Sequence, residues 1–203
     1  MTNKQLYLGR LSLQPSALIR MKVTDRYSLH KIMCDLYYSD IRIYNPEECK
    51  SFLWVDRGQH LTGREIDFLS DRDLSKNVLP DDLNVICRKL PEDFLDHEYY
   101  RYQVFLNPVR QFHRRRIPIK NESDFRVWFH EKMQNNGMIV RIDQVDQMGA
   151  EKFRKGNTKI IYKKARATGI LRVTDSVKFS EAFQKGIGKG RAFGFGLIQL
   201  ALI

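Results

Sequence analysis

Apolar residues in the first half of the chain follow the period of a strand, then of a helix, then of strands again. Residues 6–13 alternate between apolar and polar side chains, which predicts a β-strand. A helix follows, which Thr24 or Asp25 can cap. The apolar positions of this helix recur at helical spacing: Leu29, Ile32, Met33 and Leu36. Further strands are predicted at 52–55 and 65–70, and the segment 85–90 is ambiguous between an extended segment and the end of a short helix.

The second half shows a related pattern from Tyr99 onwards. An alternating strand ends at Asn107-Pro108, and 114–119 is an extended or edge segment because Pro118 cannot donate to a ladder. A helix capped by Asn121 or Ser123 then carries one apolar stripe: Phe125, Trp128, Phe129 and Met133. The remaining predicted elements are a strand at 138–145, a bent strand or hairpin over 159–173, a helix from Asp175 or Ser176 to Gly186, and a final strand at 195–202.

This order of elements predicts the fold class. The second half is β-α-β-β-α-β, a ferredoxin-like unit, and the first half is an irregular second copy of that pattern. We therefore predict an α+β protein of two tandem ferredoxin-like (RRM-like) domains, each an antiparallel sheet with helices on one face. An acidic connector separates domain 1–92 from the basic domain 98–203.

Charge divides the chain into the same halves. Residues 1–100 carry a net charge of −2 and residues 101–203 a net charge of +13. A chain that is 42% hydrophobic can bury real cores, so disorder does not explain this excess. A one-sided positive charge favours nucleic acid as the partner over a merely solvated surface. An anionic membrane is a weaker partner, since no long apolar run or basic amphipathic anchor is evident.

Cysteine usage and the first residues bear on the compartment. Cys34, Cys49 and Cys87 lack C-x-x-C spacing, so they predict neither a zinc site nor a disulfide framework. The first residues contain no apolar segment typical of a signal peptide. We expect a cytoplasmic protein with reduced thiols, no bound metal, no cofactor and no membrane partner.

Two glycine pairs late in the chain flank two cations, Lys189 and Arg191. The glycines are Gly186, Gly188, Gly194 and Gly196. Glycine allows positive φ and a close approach of the backbone to a ligand, so a loop of this kind suits a polyanion and indicates RNA. A structural role in which the loop braces the final strand is the alternative.

Among the five histidines, His30 stands out by its spacing from Tyr27. The histidines form no metal-binding motif such as H-x-x-x-H. His30 is three residues after Tyr27, so both side chains lie on one face of the predicted helix. Such a pair can cleave RNA without metal, because a base can take the ribose 2′-hydroxyl proton while an acid protonates the leaving 5′-oxygen. From spacing alone, two ordinary helix residues remain the simpler interpretation.

Several runs in the second half mix cations with aromatic residues and glycine. Such runs suit phosphate contacts and base stacking, although a single run is commonly a solvated face. Together with the cations of the glycine loop, the predicted RNA-binding residues are Arg114, Arg115, Arg116, Lys155, Lys159, Lys163, Lys189 and Arg191.

These features together resemble one known family. The glycine pattern is typical of the repeat-associated (RAMP) superfamily, and Tyr27-x-x-His30 lies on the first long predicted helix. A third match is 106–109, followed by 115–119 and a helix that bears Trp128. On these motifs the chain is similar to the CRISPR-associated endoribonuclease of the type I-E Cascade complex, which processes precursor CRISPR RNA.

The resemblance implies a function and partners. It implies metal-independent cleavage at the base of a repeat hairpin, which leaves a 2′,3′-cyclic phosphate or 3′-phosphate and a 5′-hydroxyl. His30 matches the family's catalytic histidine, and Tyr27 matches a tyrosine that some members have. The mature crRNA would stay bound, and the protein would become a subunit of Cascade. The alternatives are a non-catalytic RAMP-type subunit that binds guide RNA and a basic scaffold protein without RNA chemistry.

Overall fold

The computed structural model describes residues 5–38, 52–113, 115–155 and 157–203. The chain forms two compact units. Unit 1 comprises Met1–Pro91 together with Ala192–Gly194, and unit 2 comprises Glu92–Arg191 and Phe195–Ile203. Three residues from late in the chain therefore belong to the first unit.

Unit 1 is a four-stranded antiparallel sheet with its helices inserted after the first strand. Its elements are β1 (Tyr7–Leu13), α1 (Pro15–Arg20), α2 (Arg26–Tyr38), β2 (Phe52–His60), β3 (Gly63–Ser70) and β4 (Leu83–Lys89), with a 3-10 turn at Leu74–Lys76. The strand order is β2-β3-β1-β4. On the central strand, Leu11 lies opposite Ile66 and Val85, and all three side chains are buried.

Helix α2 begins where its sequence predicts. The Asp25 carboxylate accepts a hydrogen bond from the Ser28 N–H at 2.9 Å, which satisfies one of the unpaired donors of the first turn. The predicted apolar stripe is buried: Leu29, Ile32, Met33 and Leu36. Because these four side chains face the core, the other face of α2 is the one that can contact a ligand.

Unit 2 is a second four-stranded antiparallel sheet of order β10-β5-β9-β8, with a separate two-stranded hairpin. Its elements are β5 (Tyr99–Leu106), β6 (Val109–Phe112), β7 (Arg115–Pro118), α3 (Glu122–Gln134), β8 (Met138–Lys155), β9 (Thr158–Val173), α4 (Ser176–Lys185) and β10 (Ile198–Leu202). A 3-10 turn at Arg191–Phe193 precedes β10. The Asn121 and Asp175 side chains cap α3 and α4, as the sequence predicts.

The two sheets have the same topology, which confirms the predicted fold class. In each, the first and third strands of the βαββαβ pattern lie at the centre, and the fourth and second lie at the edges. The described part of unit 1 has only the 3-10 turn at Leu74–Lys76 in the place of the second helix. The first copy is therefore irregular, as its sequence indicates.

Three local features differ from the sequence prediction. The apolar pattern does not predict helix α1, although Pro15 at its first position is a favoured start. The predicted extended segment is present as β7, but the sequence does not predict its partner β6, with which it forms a hairpin. Strand β8 continues ten residues past Val145, whereas β9 is a single strand, in agreement with one of the two predicted alternatives.

The loop 186–196, called the glycine-rich loop below, closes on itself through Gly196. The Ile187 N–H donates to the Gly196 carbonyl at 2.9 Å, and the Gly196 N–H donates to the Phe105 carbonyl at 2.7 Å. Gly196 has φ +84°, and a Cβ there would lie 2.2 Å from the Ile187 carbonyl oxygen. The residue is glycine for both reasons, and this end of the loop braces the approach to β10.

Replacement of Gly196 by alanine is expected to lower the free energy of unfolding by about 2–4 kcal/mol. The positive φ accounts for about 1–2 kcal/mol, and the clash with Ile187 for the remainder. Gly149→Ala is the matched control, because Gly149 has φ +78° but no atom lies within 4 Å of the place that its Cβ would take. Urea denaturation followed by circular dichroism measures both, and equal losses would show that the clash is relieved without cost.

Candidate active site and nucleic-acid interface

Tyr27 and His30 lie together on one face of α2. Their ring centres are 6.3 Å apart, with an interplanar angle of 35°. Both side chains are half-buried, so a ligand can reach them while the protein restricts their rotation. The Lys31 ammonium lies over the Tyr27 ring, 4.7 Å from its centre. This face therefore offers an imidazole, a phenol and a positive charge within two turns of helix.

The His30 ring is packed by two residues for which the sequence gives no functional signal. The Cys34 sulfur, one turn further along α2, is 3.7 Å from each ring nitrogen. A sulfur equidistant from both nitrogens is not directed at one particular ring nitrogen. The Phe193 ring approaches to 5.4 Å between centres, with an interplanar angle of 59°. These two contacts restrict the tilt of the imidazole.

The segment Ala192–Gly194 is held against this face by hydrogen bonds within unit 1. The Arg26 guanidinium donates to the Phe193 carbonyl at 2.8 Å. The Trp54 indole N–H donates to the Ala192 carbonyl at 3.1 Å. Gly194 has φ +77°, and a Cβ there would lie 2.7 Å from Trp54 and 2.8 Å from Arg26. Only glycine fits at this position without displacing one of them.

Arg26 is a buried cation, which sets the electrostatics beneath α2. Its exposed fraction is 4%. Burial lowers the pKa of Arg26 to about 10, although the negative charge of Asp56 opposes this and the charge of Arg64 adds to it. Arg26 still remains protonated at neutral pH. The backbone carbonyl groups that accept from it therefore bind a permanent positive charge.

The carboxylate of Asp56 interacts with the buried charge of Arg26 and also forms an ion pair with Arg64 on the neighbouring strand. Two bonds join them, from the Arg64 Nε at 3.0 Å and from Nη2 at 2.6 Å. The Gly58 N–H adds a third bond to the carboxylate at 2.9 Å. Burial alone would raise the pKa of Asp56, but Arg64, Gly58 and Arg26 together hold it below its ordinary value.

Arg64→Met is expected to lower the free energy of unfolding by about 3 kcal/mol at pH 7, because it leaves a buried carboxylate without its partner. In the natural protein the depressed pKa of Asp56 stabilises the fold above about pH 4 and loses that effect on further acidification. In the variant, burial raises the pKa, so the protein gains stability relative to the natural one as pH falls. Urea denaturation at pH 7 and pH 4.5 measures the difference.

Arg57→Met is the control for this pair. Arg57 lies 3.7 Å from Asp67, and its side chain is 39% exposed, so its loss is expected to cost less than about 1 kcal/mol. If the loss of free energy of unfolding in Arg64→Met does not change with pH, the unpaired carboxylate of Asp56 is not its cause.

Unit 2 contains an open cleft of about 550 Å³ beside the glycine-rich loop. Strands β6 and β7, helix α3 and the loop form its walls. Its cationic lining residues are Arg110, Arg116, Lys132, Lys189 and Arg191. Glu131 is the acidic residue of the lining, so the cleft has a strong positive charge. Trp128 contributes an aromatic surface to the lining.

The structure divides the predicted RNA-binding residues between two surfaces of unit 2. Arg116, Lys189 and Arg191 line the cleft. Arg191 also donates from Nη1 to the Lys185 carbonyl at 2.7 Å, so it satisfies the end of α4 as well. Arg115 is exposed on β7 beside the cleft residue Arg116. Arg114 and the side chain of Lys155 lie outside the described residues.

The second surface is a ribbon formed by 150–155 of β8 and 158–163 of β9. Strand β5 pairs with β9 only from Ala165 to Arg172, so the two arms extend beyond it as a two-stranded ribbon. Opposed residues share a face of a ribbon. The outer face carries Ala150, Lys152, Arg154, Lys159, Ile161 and Lys163. Four of these six residues are cations and none is acidic, so this face suits a phosphate backbone.

The inner face of the ribbon packs on the glycine-rich loop. Phe153 is buried and its ring lies 5.6 Å from that of Tyr162, which in turn lies 5.8 Å from Phe195. Burial raises the pKa of Tyr162, and the nearby charge of Arg116 partly opposes this. These edge-to-face aromatic contacts hold the inner face against the loop, so the cationic face of the ribbon points outwards.

The structure also places the remaining glycines of the loop and shows site residues that the sequence did not indicate. Gly186 ends α4 and Gly188 lines the cleft. Arg110 and Lys132 join the cleft only through tertiary packing, although Lys132 lies one helical turn after Trp128. Arg26, Trp54 and Phe193 had no local signal, because their contacts join distant parts of the chain.

The described residues offer neither a metal centre nor a membrane-spanning helix. Among them, no three or more His, Cys, Asp or Glu side chains form a group that could hold a metal ion. Within the same part of the chain, no helix is long and apolar enough to cross a membrane.

Known proteins resemble this chain over nearly its whole length. Residues 6–201 match the profile of a family described as CRISPR associated protein. No curated protein sequence matches significantly. A structure of the CRISPR endoribonuclease Cse3 bound to 19 nt RNA is 19% identical, with a TM-score of 0.78 over 98% of this chain and 100% of that one. Thermus thermophilus Cse3 bound to an RNA representing a pre-cleavage complex is 18% identical, with a TM-score of 0.78 over 98% of this chain and 100% of that one.

A third similar structure is Cas6e from Escherichia coli K-12, a CRISPR-associated protein. It is 18% identical, with a TM-score of 0.70 over 97% of this chain and 100% of that one. At identities this low, the TM-scores establish a shared fold and nothing further.

Proposed function

This chain belongs to the family of CRISPR associated proteins, and from that premise we propose that it is a cytoplasmic, metal-independent endoribonuclease that cuts precursor CRISPR RNA at the base of the repeat hairpin. The observation that carries the proposal is the half-buried pair of Tyr27 and His30 on one face of α2. A neighbouring imidazole and phenol supply the proton acceptor and the proton donor that RNA transesterification requires.

The proposed reaction needs only groups of the RNA and of this face. One member of the pair takes the proton of the ribose 2′-hydroxyl, and the 2′-oxygen attacks the adjacent phosphorus. The bond from phosphorus to the 5′-oxygen breaks, and that oxygen leaves with a proton as a 5′-hydroxyl. The new 3′ end of the upstream product carries a 2′,3′-cyclic phosphate, which water can open to a 3′-phosphate. Lys31, over the Tyr27 ring, adds a positive charge to this face, which favours the additional negative charge of the phosphorane.

The charged surfaces of unit 2 support RNA as the substrate. The outer face of the ribbon and the cleft both present cations to solvent-accessible surfaces: Lys152, Arg154, Lys159, Lys163, Arg110, Arg116, Lys132, Lys189 and Arg191. A stem is recognised mainly through its phosphates and shape, so cationic strips of this kind suit a repeat hairpin. The similar Cse3 structures are bound to RNA.

We propose the repeat hairpin, the mature crRNA and the other Cascade subunits as partners. A similar chain, 21% identical with a TM-score of 0.69, belongs to a CRISPR RNA-guided surveillance complex. Strong product retention follows if most of the phosphate contacts lie on the stem, because cleavage at the base of the hairpin leaves those contacts intact.

The test is cleavage of an end-labelled repeat RNA, taken from the array of the host genome, in excess EDTA. A parallel RNA carries a single 2′-deoxyribose at the scissile nucleotide. We expect one cut in the natural RNA, a 2′,3′-cyclic phosphate at its new 3′ end, and no cut in the deoxy RNA.

Three outcomes would overturn parts of this proposal. Cleavage of the deoxy RNA would exclude attack by the 2′-hydroxyl, and cleavage only without EDTA would exclude metal independence. Tight binding without any cleavage would assign the chain to the non-catalytic subunits that bind guide RNA.

A further inference from the structure

One part of the glycine-rich loop belongs to the candidate active site rather than to the cleft. Residues Ala192–Gly194 are part of unit 1, whereas the rest of the loop is part of unit 2. The sequence predicts that the loop contacts RNA or braces the last strand. The contacts of this segment with α2 indicate a third role.

The segment is fixed at its glycine and at all three of its carbonyl groups, since Arg26 also donates to the Gly194 carbonyl, at 3.5 Å. Arg26 and Trp54 donate to the carbonyl groups of Phe193 and Ala192, and both donors are buried in the core of unit 1. Gly194 fits against the same two side chains with no room for a Cβ. A backbone held this closely leaves little freedom in the direction of the side chain that it carries.

That side chain is Phe193, and it contacts His30. The two ring centres are 5.4 Å apart at an angle of 59°, within the range of favourable tilted aromatic pairs. Cys34 packs on the imidazole from α2 itself. Phe193 is therefore a contact of His30 that comes from outside the helix.

We infer that Phe193 is a positioning residue, which sets the orientation of the His30 imidazole from a backbone segment fixed by Arg26 and Trp54. This inference rests on the proposed role of His30 in RNA cleavage. A displacement of a reacting group by about 1 Å can reduce a rate by about a hundredfold. An aromatic contact that fixes the ring plane is therefore a determinant of rate without touching the RNA.

The test compares Phe193→Leu with Phe193→Tyr in the full-length protein. Single-turnover cleavage of the repeat hairpin at saturating protein is expected to slow by about 10- to 100-fold in Phe193→Leu. Phe193→Tyr, which keeps the ring, is expected to restore the rate to within a few fold of the natural one. Hairpin affinity should change by less than about twofold in both variants, since neither alters a charge. Tyr99→Leu, which removes another partly exposed aromatic ring, serves as the control.

A second readout does not depend on catalysis. The ring-proton chemical shifts of His30, assigned by their absence in His30→Asn, should move in Phe193→Leu through loss of the aromatic ring current. They should remain close to natural values in Tyr99→Leu.

The outcomes separate this inference from the proposed function. If the shifts and the rate are both unchanged in Phe193→Leu while His30→Ala is inactive, the positioning role is wrong and the proposed function stands. If His30→Ala cleaves normally, the proposed active site is wrong and the positioning role of Phe193 is overturned with it. An equal loss of rate in Phe193→Leu and Phe193→Tyr would also overturn the inference.

Discussion

His30→Ala is expected to reduce cleavage of the repeat hairpin by about 10³-fold while leaving hairpin binding unchanged. General acid–base catalysis by a placed side chain contributes about 10²- to 10⁴-fold, and alanine removes the imidazole altogether. His30 lies in unit 1, whereas the cationic ribbon and cleft lie in unit 2, so affinity should not depend on it. Single-turnover rates in EDTA and equilibrium binding to the uncleavable deoxy RNA measure the two quantities separately.

His60→Ala is the matched control for this substitution. His60 is an exposed histidine of β2 in the same unit, so its loss removes an imidazole without altering the α2 face. Tyr27→Phe adds a finer comparison, because it keeps the ring beneath Lys31 and removes only the hydroxyl. A normal rate in His30→Ala would move the active site elsewhere, and a normal rate in Tyr27→Phe alone would leave His30 with a different proton partner.

Neutralisation of the outer face of the ribbon is expected to have the largest effect on binding. The variant replaces four cations by alanine: Lys152, Arg154, Lys159 and Lys163. A plot of log affinity against log salt concentration has a negative slope, and each phosphate contact that is lost reduces the steepness of that slope by about 0.7 to 0.9. Four contacts therefore correspond to a slope lower by about 3 and to about 10³-fold weaker binding near 0.1 M salt. Fluorescence anisotropy of labelled hairpin over a salt series measures both.

A control variant with the same change in net charge shows whether position matters. It replaces four exposed cations of unit 2 that pair with acidic side chains: Arg141, Arg172, Lys178 and Lys185. Exposed pairs of this kind contribute little to stability, so the variant should fold and bind with nearly the natural slope. If both variants weaken binding equally, overall charge rather than the ribbon is responsible.

Local patterns in the sequence predicted the elements of this fold well. The alternation of apolar residues predicts β1 and β5, and polar residues that can accept hydrogen bonds predict the caps of α3 and α4. These signals depend on residues within a few positions of one another, which is why they can be recognised in one sequence. The shared strand order of the two sheets then follows from the βαββαβ pattern.

The ribbon and the surroundings of His30 could not be predicted in the same way. Past Gln147, β8 extends beyond strand β5, and its apolar residues Met148, Ala150 and Phe153 no longer recur at every second position. The cations of the ribbon are recognisable as a basic run, but their shared face is not. Arg26 could not be predicted for a different reason. Nothing in the neighbouring sequence indicates that this arginine is buried, and the Phe193 carbonyl to which it donates is far away in the sequence.

The separation between Arg26 and Phe193 also has a consequence for synthesis of the protein. These residues are 167 positions apart, and β4, the last strand of the first sheet, ends at Lys89. Domains generally fold in order as they leave the ribosome, so this sheet can form long before Ala192–Gly194 exists. Until then the Arg26 guanidinium and the Trp54 indole lack these carbonyl acceptors. A translation product interrupted before Ala192 therefore contains His30 but not Phe193, and this face is complete only after Gly194 has been added.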